Sequence, residues 1–466
     1  MASSNQFQQK MLGQSADQSL FEQAKTYACD YVEHISERNV YPIPEALDKL
    51  AVFDEPLPAE PGDPHEMLRL LHEYGSPATV AHTGGRYFGF VTGSVFTPVL
   101  AAKWLADAWD QLSALYVTSP ITATLEAVCE KWLIDVLQLP QGSAAGFVSG
   151  TSMATLCGLA AARHELLKRQ GWDVSSQGLF GAPPIRVVVG AEAHATVFKA
   201  LALLGLGKDR VELVAVDEQG RMLAEKIPAL DAHTLVIIQA GNVNSGAFDP
   251  IDEICTLAQA AGAWVHIDGA FGLWAAASSA KKHLVKGLEK ADSWSVDGHK
   301  TLNTPYDSGI VICKQPDALI SALQASGSYI IYSDKRDGML YAPEMSRRSR
   351  GIELWATLKI IGRSGVEALI DGLCLHAEQI ATQLKAEGFN ILNDVVFNQV
   401  LVACDSDEET AAVTKHLQQS GECWCGGAKW HGKQVIRVSV CSWVTTEADI
   451  TRSVAAFVEA RRQAKA

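Results

Sequence analysis

Short apolar runs alternate with longer amphipathic windows through the middle of the chain. The apolar runs are rich in Val and Ile, as buried strands are, and lie at 185–189, 211–216, 235–238, 264–267 and 309–313. Windows with helical spacing of apolar positions lie between them, at 155–170, 195–204 and 250–261. Strands separated by helices predict an α/β domain with a parallel or mostly parallel sheet covered on both faces.

Different patterns flank this central part. Residues 1–40 have helical spacing, and the proline-rich stretch 41–64 predicts an extended connector with one short helical turn. After residue 355 helices and strands alternate again, with helices at 365–387, 408–420 and from Thr446, and strands at 396–404 and 434–441. We therefore predict an N-terminal helical and extended segment (1–96), a large α/β domain (97–352) and a small C-terminal α+β domain (353–466).

Composition and charge exclude several classes of protein. The chain has 466 residues and is 48% hydrophobic and 20% charged, which is typical of a globular protein and excludes long disordered or fibrous regions. Its net charge of −14 argues against nucleic acid as a partner.

Cellular location and metal binding are also constrained. The polar N-terminus lacks the features of a signal peptide, and the longest uncharged run, 136–162, is interrupted by Pro and Gly, so we expect no membrane span. Ten scattered Cys indicate a reducing, cytoplasmic environment. Cys423 and Cys425 have no second pair at zinc-binding spacing, and we predict no metal site.

Polar residues just after the candidate strands are the candidates for chemistry, because active sites of open α/β sheets lie at the carboxyl ends of strands. Ser149-Gly150-Thr151-Ser152 follows an apolar run and opens a helix, which suits a phosphate monoester, although an ordinary helix cap has the same pattern. Asp268 follows the strand at 264–267 and could hold a protonated ring nitrogen, or serve as a cap or a structural ion pair.

Two further residues have the same ambiguity. Lys300, in Asp297-Gly298-His299-Lys300, follows an apolar stretch, and if it is desolvated its pKa falls and its amine becomes a nucleophile toward a carbonyl. A solvated surface lysine is the alternative. His194 could stack on a heteroaromatic ring and exchange protons, or it could be a structural histidine.

Taken in chain order, these residues resemble those of the group II pyridoxal-dependent decarboxylases, which include the aromatic-L-amino-acid and glutamate decarboxylases. The resemblance runs from about Tyr87 to Ser453 and rests on RYFGFVTGS, TSPITATLE, SGTSMATL, HATVFKA, GAFDPIDEI, HIDGAFG, ADSWSVDGHK and IRVSVCSWVTTE. It implies the fold type I, aminotransferase-like fold and pyridoxal 5'-phosphate (PLP) as cofactor. It also implies decarboxylation of an L-amino acid by way of a Lys300 Schiff base and a quinonoid intermediate.

The resemblance also implies a role for individual residues. Lys300 forms the Schiff base, Asp268 pairs with the pyridine nitrogen, and His194 stacks on the ring. The phosphate is held by Thr151, Ser152 and His299, while Ala270 packs on the ring and Thr92 faces the substrate carboxylate. A tyrosine on a mobile loop protonates the quinonoid carbon, for which Tyr329 is the best match and Tyr332 and Tyr341 are alternatives. Family members are homodimers with shared active sites, in which residues 112–119 reach the neighbour's pocket.

Several positions depart from the family pattern. Many relatives have Asn-Pro-His-Lys, so Asp297 places an acid beside the phosphate, and Asn242 replaces a hydroxyl residue near the cofactor. Two aromatic substrate positions of the aromatic amino acid decarboxylases are Ala81 and Ala114, which weakens the case for an aromatic substrate. Arg86, near the same wall, could pair with an acidic substrate side chain, but a surface ion pair is the expectation.

The same residues leave other functions open. Another fold type I reaction (transamination, an aldol-type cleavage or decarboxylation with oxidative deamination) and a catalytically inactive relative that serves as a binding partner are the alternatives.

Overall fold

The computed structural model describes residues 2–325, 327 and 330–466, with side chains from residue 5 onwards. A large sheet contains β1 (Ala144–Val148), β2 (Arg186–Gly190), β3 (Glu212–Val214), β4 (Thr234–Gln239), β5 (Trp264–Asp268), β6 (Ser293–Asp297) and β7 (Gly309–Cys313). Their spatial order is β1-β7-β6-β5-β4-β2-β3. Only β7 pairs antiparallel with its neighbours, so the predicted mostly parallel sheet is confirmed.

Helices cover both faces of this sheet and extend beyond it. Up to the end of the large sheet they are α1 (Ala2–Ser15), α2 (Gln18–Glu33), α3 (Pro44–Asp48), α4 (Pro64–Leu70), α5 (Thr97–Trp109), α6 (Pro120–Val136), α7 (Thr151–Lys168), α8 (Val174–Gln177), α9 (Ala195–Leu203) and α10 (Ile251–Ala261). The remaining helices are α11 (Pro316–Leu323), α12 (Gly351–Ala386), α13 (Asp407–Ser420) and α14 (Glu447–Ala464). No helix among the described residues combines the length and apolarity needed to cross a membrane.

A smaller antiparallel sheet follows the large one. It contains β8 (Asn390–Ile391), β9 (Gln399–Ala403), β10 (Gly426–Trp430) and β11 (Lys433–Ser439), in the order β10-β11-β9-β8. The predicted start of the last helix is confirmed, because the Thr446 side chain accepts from the Asp449 amide and the Asp449 side chain accepts from the Thr446 amide in a capping box. The predicted domain boundaries stay predictions, and the one at 352/353 falls in the first turn of α12.

Three strands, β6, β8 and β10, have no counterpart in the sequence prediction, and β8 has only two residues. β6 has the pattern Ser-Trp-Ser-Val-Asp, yet all of it is buried, because the Ser293 hydroxyl bonds the rings of Trp264 and His266 and the Ser295 hydroxyl bonds Thr155. Buried hydroxyls with partners inside the protein cost little, so polar residues here do not mark a solvent face. β10 begins with two glycines and lies at the edge of its sheet, where the apolar signal is weak.

The register of the large sheet brings the carboxyl ends of its central strands close together. Gln239 of β4 pairs with Asp268 of β5, and Asp268 pairs with Ser295 of β6. Gly309 of β7 lies between Asp297 and Val148, so α7 begins beside the end of β6. A Cβ atom on Gly309 would lie 2.3 Å from the Cα atom of Gly150, and only glycine permits this approach.

Candidate active site

A cavity of about 250 Å³ opens at the carboxyl edge of the large sheet. Seven of the residues named from the sequence line it: Thr151, Ser152, His194, Asp268, Ala270, His299 and Lys300. They come from four places in the chain (the start of α7, the turn between β2 and α9, the end of β5 and the turn after β6), and the sheet register brings them together. Residues that the sequence did not single out also line it, among them Phe90, Thr196, Gln239 and Val243.

Lys300 lies between two carboxylates. Its Nζ atom is 3.1 Å from Asp297 Oδ2, and Asp268 lies close enough to add a second attraction. Burial lowers the pKa of Lys300, but the ion pair with Asp297 and the attraction of Asp268 outweigh it and hold this pKa above its ordinary value. The expectation that desolvation lowers the pKa of Lys300 is therefore wrong for the cofactor-free protein, because the neighbouring carboxylates stabilise the ammonium form.

Asp268 is 5% exposed and lies at the end of β5. Its Oδ1 atom accepts a hydrogen bond of 3.2 Å from the Ala270 amide. Burial raises the pKa of Asp268, and the attraction of His194 and Lys300 offsets this only in part. A cationic partner at the free side of this carboxylate would therefore be strongly bound.

Hydrogen bonds from backbone amides fix which ring nitrogen accepts in each of the two histidines of the cavity. His194 caps α9, and its Nδ1 atom accepts from the Thr196 amide at 3.3 Å. His299 Nδ1 accepts from the Ser308 amide at 3.1 Å. Burial lowers the pKa of both, so each is a neutral imidazole whose Nε2 atom carries the hydrogen.

A family model described as the pyridoxal-dependent decarboxylase conserved domain matches residues 58–403, about three quarters of the chain. The chain belongs to the pyridoxal-dependent decarboxylase family. It is 26% identical to the aromatic-L-amino-acid decarboxylase of Bacillus atrophaeus over 91% of both chains. It is 27% identical to the acidic amino acid decarboxylase GADL1 of Mus musculus over 68% of this chain, a match that spans 59% of the mouse protein.

Solved structures agree on the fold. Oryza sativa TDC with PLP and tryptamine has a TM-score of 0.88 at 21% identity, covering 96% of this chain and 98% of that one. Mouse CSAD has a TM-score of 0.86 at 21% identity, covering 95% and 98%. The fold type I architecture expected from the sequence is thus confirmed.

The residues of the cavity fit the phosphate of PLP. The Thr151 hydroxyl is buried and has no hydrogen-bond partner among the described residues, while Ser152 is open to the cavity. A Cβ atom on Gly150 would lie 3.2 Å from His299 Cε1, so the missing side chain keeps the start of α7 accessible. A helix N-terminus, two hydroxyls and an imidazole N–H are donors suited to a phosphate monoester.

Other residues named from the sequence lie elsewhere. Asn242 is 1% exposed, and its side chain bonds the Glu192 carbonyl and the amides of Asn244 and Ser245, so it shapes a turn and does not line the cavity. Thr92 is also outside the lining, although the phenol of Tyr306 faces its hydroxyl.

The substrate-wall positions are buried in the protein. Ala81 and Ala114 are both buried, at 2% and 5% exposure. The ion pair expected for Arg86 is present, with Glu422 at 3.5 Å and Asp449 at 3.7 Å. Its expected surface location is wrong, because Arg86 is 3% exposed and also donates to the backbone carbonyls of Ser36, Arg38 and Glu422. Those carbonyls draw Arg86 inward and join the N-terminal segment to the small sheet.

The candidate proton donors do not meet the cavity in the described part of the chain. Tyr329 lies outside the described residues. The Tyr332 hydroxyl donates to the Ala325 carbonyl at 2.6 Å, and the Tyr341 ring packs 4.3 Å beneath the Arg336 guanidinium. The tyrosine assignment therefore stays a prediction.

Two residues near the cavity were missed by sequence reasoning. Tyr306 stacks on His299 with ring centroids 4.2 Å apart. Arg437, on β11, lies near His194, whose pKa it helps to lower, and it donates a hydrogen bond of 3.4 Å to the Val243 carbonyl. No carboxylate among the described residues forms an ion pair with Arg437. Arg437 was missed because only residues that follow the strands of the large sheet were considered, and Arg437 belongs to the small one.

Proposed function

We propose that the chain decarboxylates an L-amino acid with PLP held in the cavity at the carboxyl edge of the large sheet. The observation that carries the proposal is the placing of Lys300, Asp268, His194 and the start of α7 around one cavity in a member of this family. An amine, a buried acid, a flat imidazole and a phosphate cradle are the parts that this cofactor requires.

Bound PLP supplies an electron sink for the electron pair that remains when CO₂ leaves. The Lys300 amine would hold the cofactor by condensing with its aldehyde group, with loss of water, and Asp268 would keep a proton on the ring nitrogen. His194 and Ala270, which both line the cavity, would contact the cofactor ring, His194 by stacking on it and Ala270 by leaving room for it. The hydroxyls of Thr151 and Ser152 and the His299 Nε2–H bind the phosphate.

Arg437 is the group we assign to a carboxylate of the substrate. Burial lowers the pKa of Arg437, and the nearby Tyr87 phenol offsets this only in part. A guanidinium without a carboxylate partner among the described residues favours an anionic ligand. We also assign to the substrate Thr92 and Tyr306, whose hydroxyl groups face each other beside His299. Tyr329 remains the proposed proton donor.

A homodimer is part of the proposal. Large apolar side chains are exposed on α5 and in the segment that follows it, namely Trp104, Leu105, Trp109, Leu112, Val117 and Ile121. An apolar surface of this extent is typical of a protein–protein interface, and residues 112–119, proposed to reach the neighbour's pocket, are part of it. All ten Cys are free and nine are buried, which fits the proposed cytoplasmic environment.

The test is a visible absorbance spectrum of the PLP-loaded protein, recorded while single L-amino acids are added in a CO₂-release assay. We expect a yellow band in the wild type and CO₂ release with one class of amino acid, with an amine as product. In Lys300→Ala the band should disappear and turnover should fall at least about 1,000-fold, because no amine remains to hold the aldehyde. Lys199→Ala, at an exposed position on α9, is the control and should match the wild type.

The products separate the alternatives. An aldehyde with ammonia indicates oxidative deamination, and a keto acid without CO₂ indicates transamination. A protein that stays colourless with added PLP, or a Lys300→Ala variant with full turnover, contradicts the proposal.

A further inference from the structure

Asp297 holds the donors that surround the phosphate cradle. Its Oδ1 atom accepts a 2.6 Å hydrogen bond from the Thr151 amide at the start of α7. Its Oδ2 atom lies 3.1 Å from Lys300 Nζ and 3.5 Å from His299 Nε2. Asp297 is 1% exposed, so the carboxylate has little access to water as an alternative partner.

These are donors that an incoming phosphate also needs. Gly150, which precedes α7, provides no side-chain cap, and the Asp297 carboxylate takes that place from across the sheet. A carboxylate on a helix N-terminus satisfies a free N–H group and the positive end of the helix dipole. The cofactor-free protein is therefore stabilised by an anion of its own at the place where the cofactor's anion must bind.

The charges around the cavity make the competition stronger. Asp268 and Asp297 face the single ammonium group of Lys300, while His194 and His299 are neutral because burial lowers their pKa values. A phosphate monoester adds between about 1.5 and 2 negative charges. Like charges a few ångströms apart in a partly desolvated site repel each other strongly.

We propose that Asp297 competes with the phosphate of PLP for the Thr151 amide and His299, so that this residue weakens cofactor binding and keeps the cofactor exchangeable. The inference rests on the proposed placement of PLP. The Asn that many relatives have at this position keeps an acceptor for the Thr151 amide and adds a donor for the phosphate. The Asp thus stabilises the cofactor-free state at the expense of the loaded one.

The experiment compares PLP with pyridoxal, which has the same aldehyde but no phosphate, in the wild type and in Asp297→Asn. Dissociation constants come from the visible band and from quenching of tryptophan fluorescence, without an activity assay. We expect PLP to bind about tenfold or more tightly to Asp297→Asn, and pyridoxal to change by less than about threefold. An equal change for both ligands, or weaker binding of PLP, overturns the proposal.

Asp292→Asn is the matched control. Asp292 precedes β6 at its opposite end and accepts from the Val265 amide at 2.8 Å, so it has the same kind of contact away from the cavity. Its variant should leave both dissociation constants unchanged.

A second variant and a wild-type measurement keep the test decisive. Asp297→Ser removes the charge and should shift PLP binding in the same direction if Asp297→Asn does not fold. If neither variant folds, the wild-type preference for PLP over pyridoxal decides, and a ratio above about 1,000 overturns the proposal, since it would mean an unopposed phosphate site.

Borohydride trapping separates this inference from the proposed function. A trapped PLP adduct on Lys300 together with unchanged affinity ratios defeats the inference alone. A trapped adduct on another lysine, or none at all, defeats the proposed placement of PLP.

Discussion

Two buried clusters of charged side chains lie near β1, one along the strand and one beyond its carboxyl end, and they differ in how far their charges are paired. In the α6 cluster (Glu126, Glu130, Arg336 and Arg347) Arg336 bonds both glutamates, with Nε 3.3 Å from Glu126 and Nη1 2.7 Å from Glu130. Arg347 Nη2 lies 2.8 Å from Glu126, so two cations face two anions. The cavity cluster (Lys300, Asp268, Asp297, His194 and His299) has two carboxylates facing one ammonium.

The two clusters also differ in the hydrogen-bond partners of their other polar atoms. In the α6 cluster Arg336 also donates to the Ala145 carbonyl and Arg347 to the Phe147 carbonyl, so the cluster ties α6 to β1, and Arg347 Nε is the one buried polar atom of the cluster without a partner among the described residues. In the cavity cluster the donors and acceptors face the cavity, and the Thr151 hydroxyl beside them has no partner among the described residues. A cluster whose positive and negative charges balance and bond one another indicates a structural role. A cluster with an excess of one charge beside a cavity indicates a site that binds a ligand.

The largest effect that tests this comparison concerns Asp268. Asp268→Asn should lower turnover at least about 100-fold, because the ring nitrogen of the cofactor loses its anionic partner. Burial raises the pKa of Asp268, so its ionised form costs stability at neutral pH and the amide removes that cost. We therefore expect the free energy of unfolding of the cofactor-free protein not to fall, as measured by urea titration.

The control for this prediction is Asp252→Asn. Asp252 pairs with Lys286 and Lys290 on the surface, away from the cavity, and its variant should keep full turnover. A loss of several kcal/mol of stability in Asp268→Asn would show that Asp268 is a structural anchor and would erase the distinction between the clusters.

The α6 cluster should respond in the opposite way. Glu126→Gln should lower the free energy of unfolding by about 3–5 kcal/mol, because it leaves two buried guanidinium groups short of an anion. PLP affinity per folded molecule should stay unchanged. Asp135→Asn breaks an exposed ion pair with Arg363 and should cost less than about 1 kcal/mol. A cost below 1 kcal/mol for Glu126→Gln, or a loss of PLP binding in the folded variant, contradicts the structural role of this cluster.

The sequence predicted which residues lie at the cavity where their position depends only on the end of a single strand. Thr151, Asp268 and Lys300 each follow a strand of the large sheet, and parallel strands bring their carboxyl ends to one edge. The strand before Lys300 was harder to predict, because its buried serines look like solvent-facing positions until their partners are known. The roles of these residues stay predictions.

Other features depend on contacts between distant parts of the chain. Asn242 has the residue type of a cofactor contact, but the amides of its own turn occupy its side chain. Arg86 is buried because carbonyls from two distant segments converge on it. Arg437 lies near the cavity only because β11 of the small sheet brings it to the Val243 carbonyl and into the neighbourhood of His194. The pKa of Lys300 rises because Asp297 and Asp268 arrive from separate strands.

The smallest effect concerns His266, whose ring is hydrogen-bonded inside the protein although it lies on the same strand as Asp268. Its Nδ1 atom lies 2.8 Å from the Ser293 hydroxyl, and burial lowers its pKa to about 3. Below about pH 6.5 the unfolded chain binds a proton that the folded His266 does not accept until about pH 3. Stability should therefore fall as the pH drops through this window, by up to about 1.4 kcal/mol per pH unit.

The measurement is the free energy of urea unfolding at several pH values between 6.5 and 5. His266→Asn should give a flatter curve than the wild type, because the unfolded variant has no imidazole to protonate at this position. His233→Asn, at an exposed position before β4, is the control and should run parallel to the wild type. Parallel curves for His266→Asn and the wild type would contradict the assignment, since a neutral, internally bonded histidine must make the fold sensitive to acid whether or not a ligand occupies the neighbouring cavity.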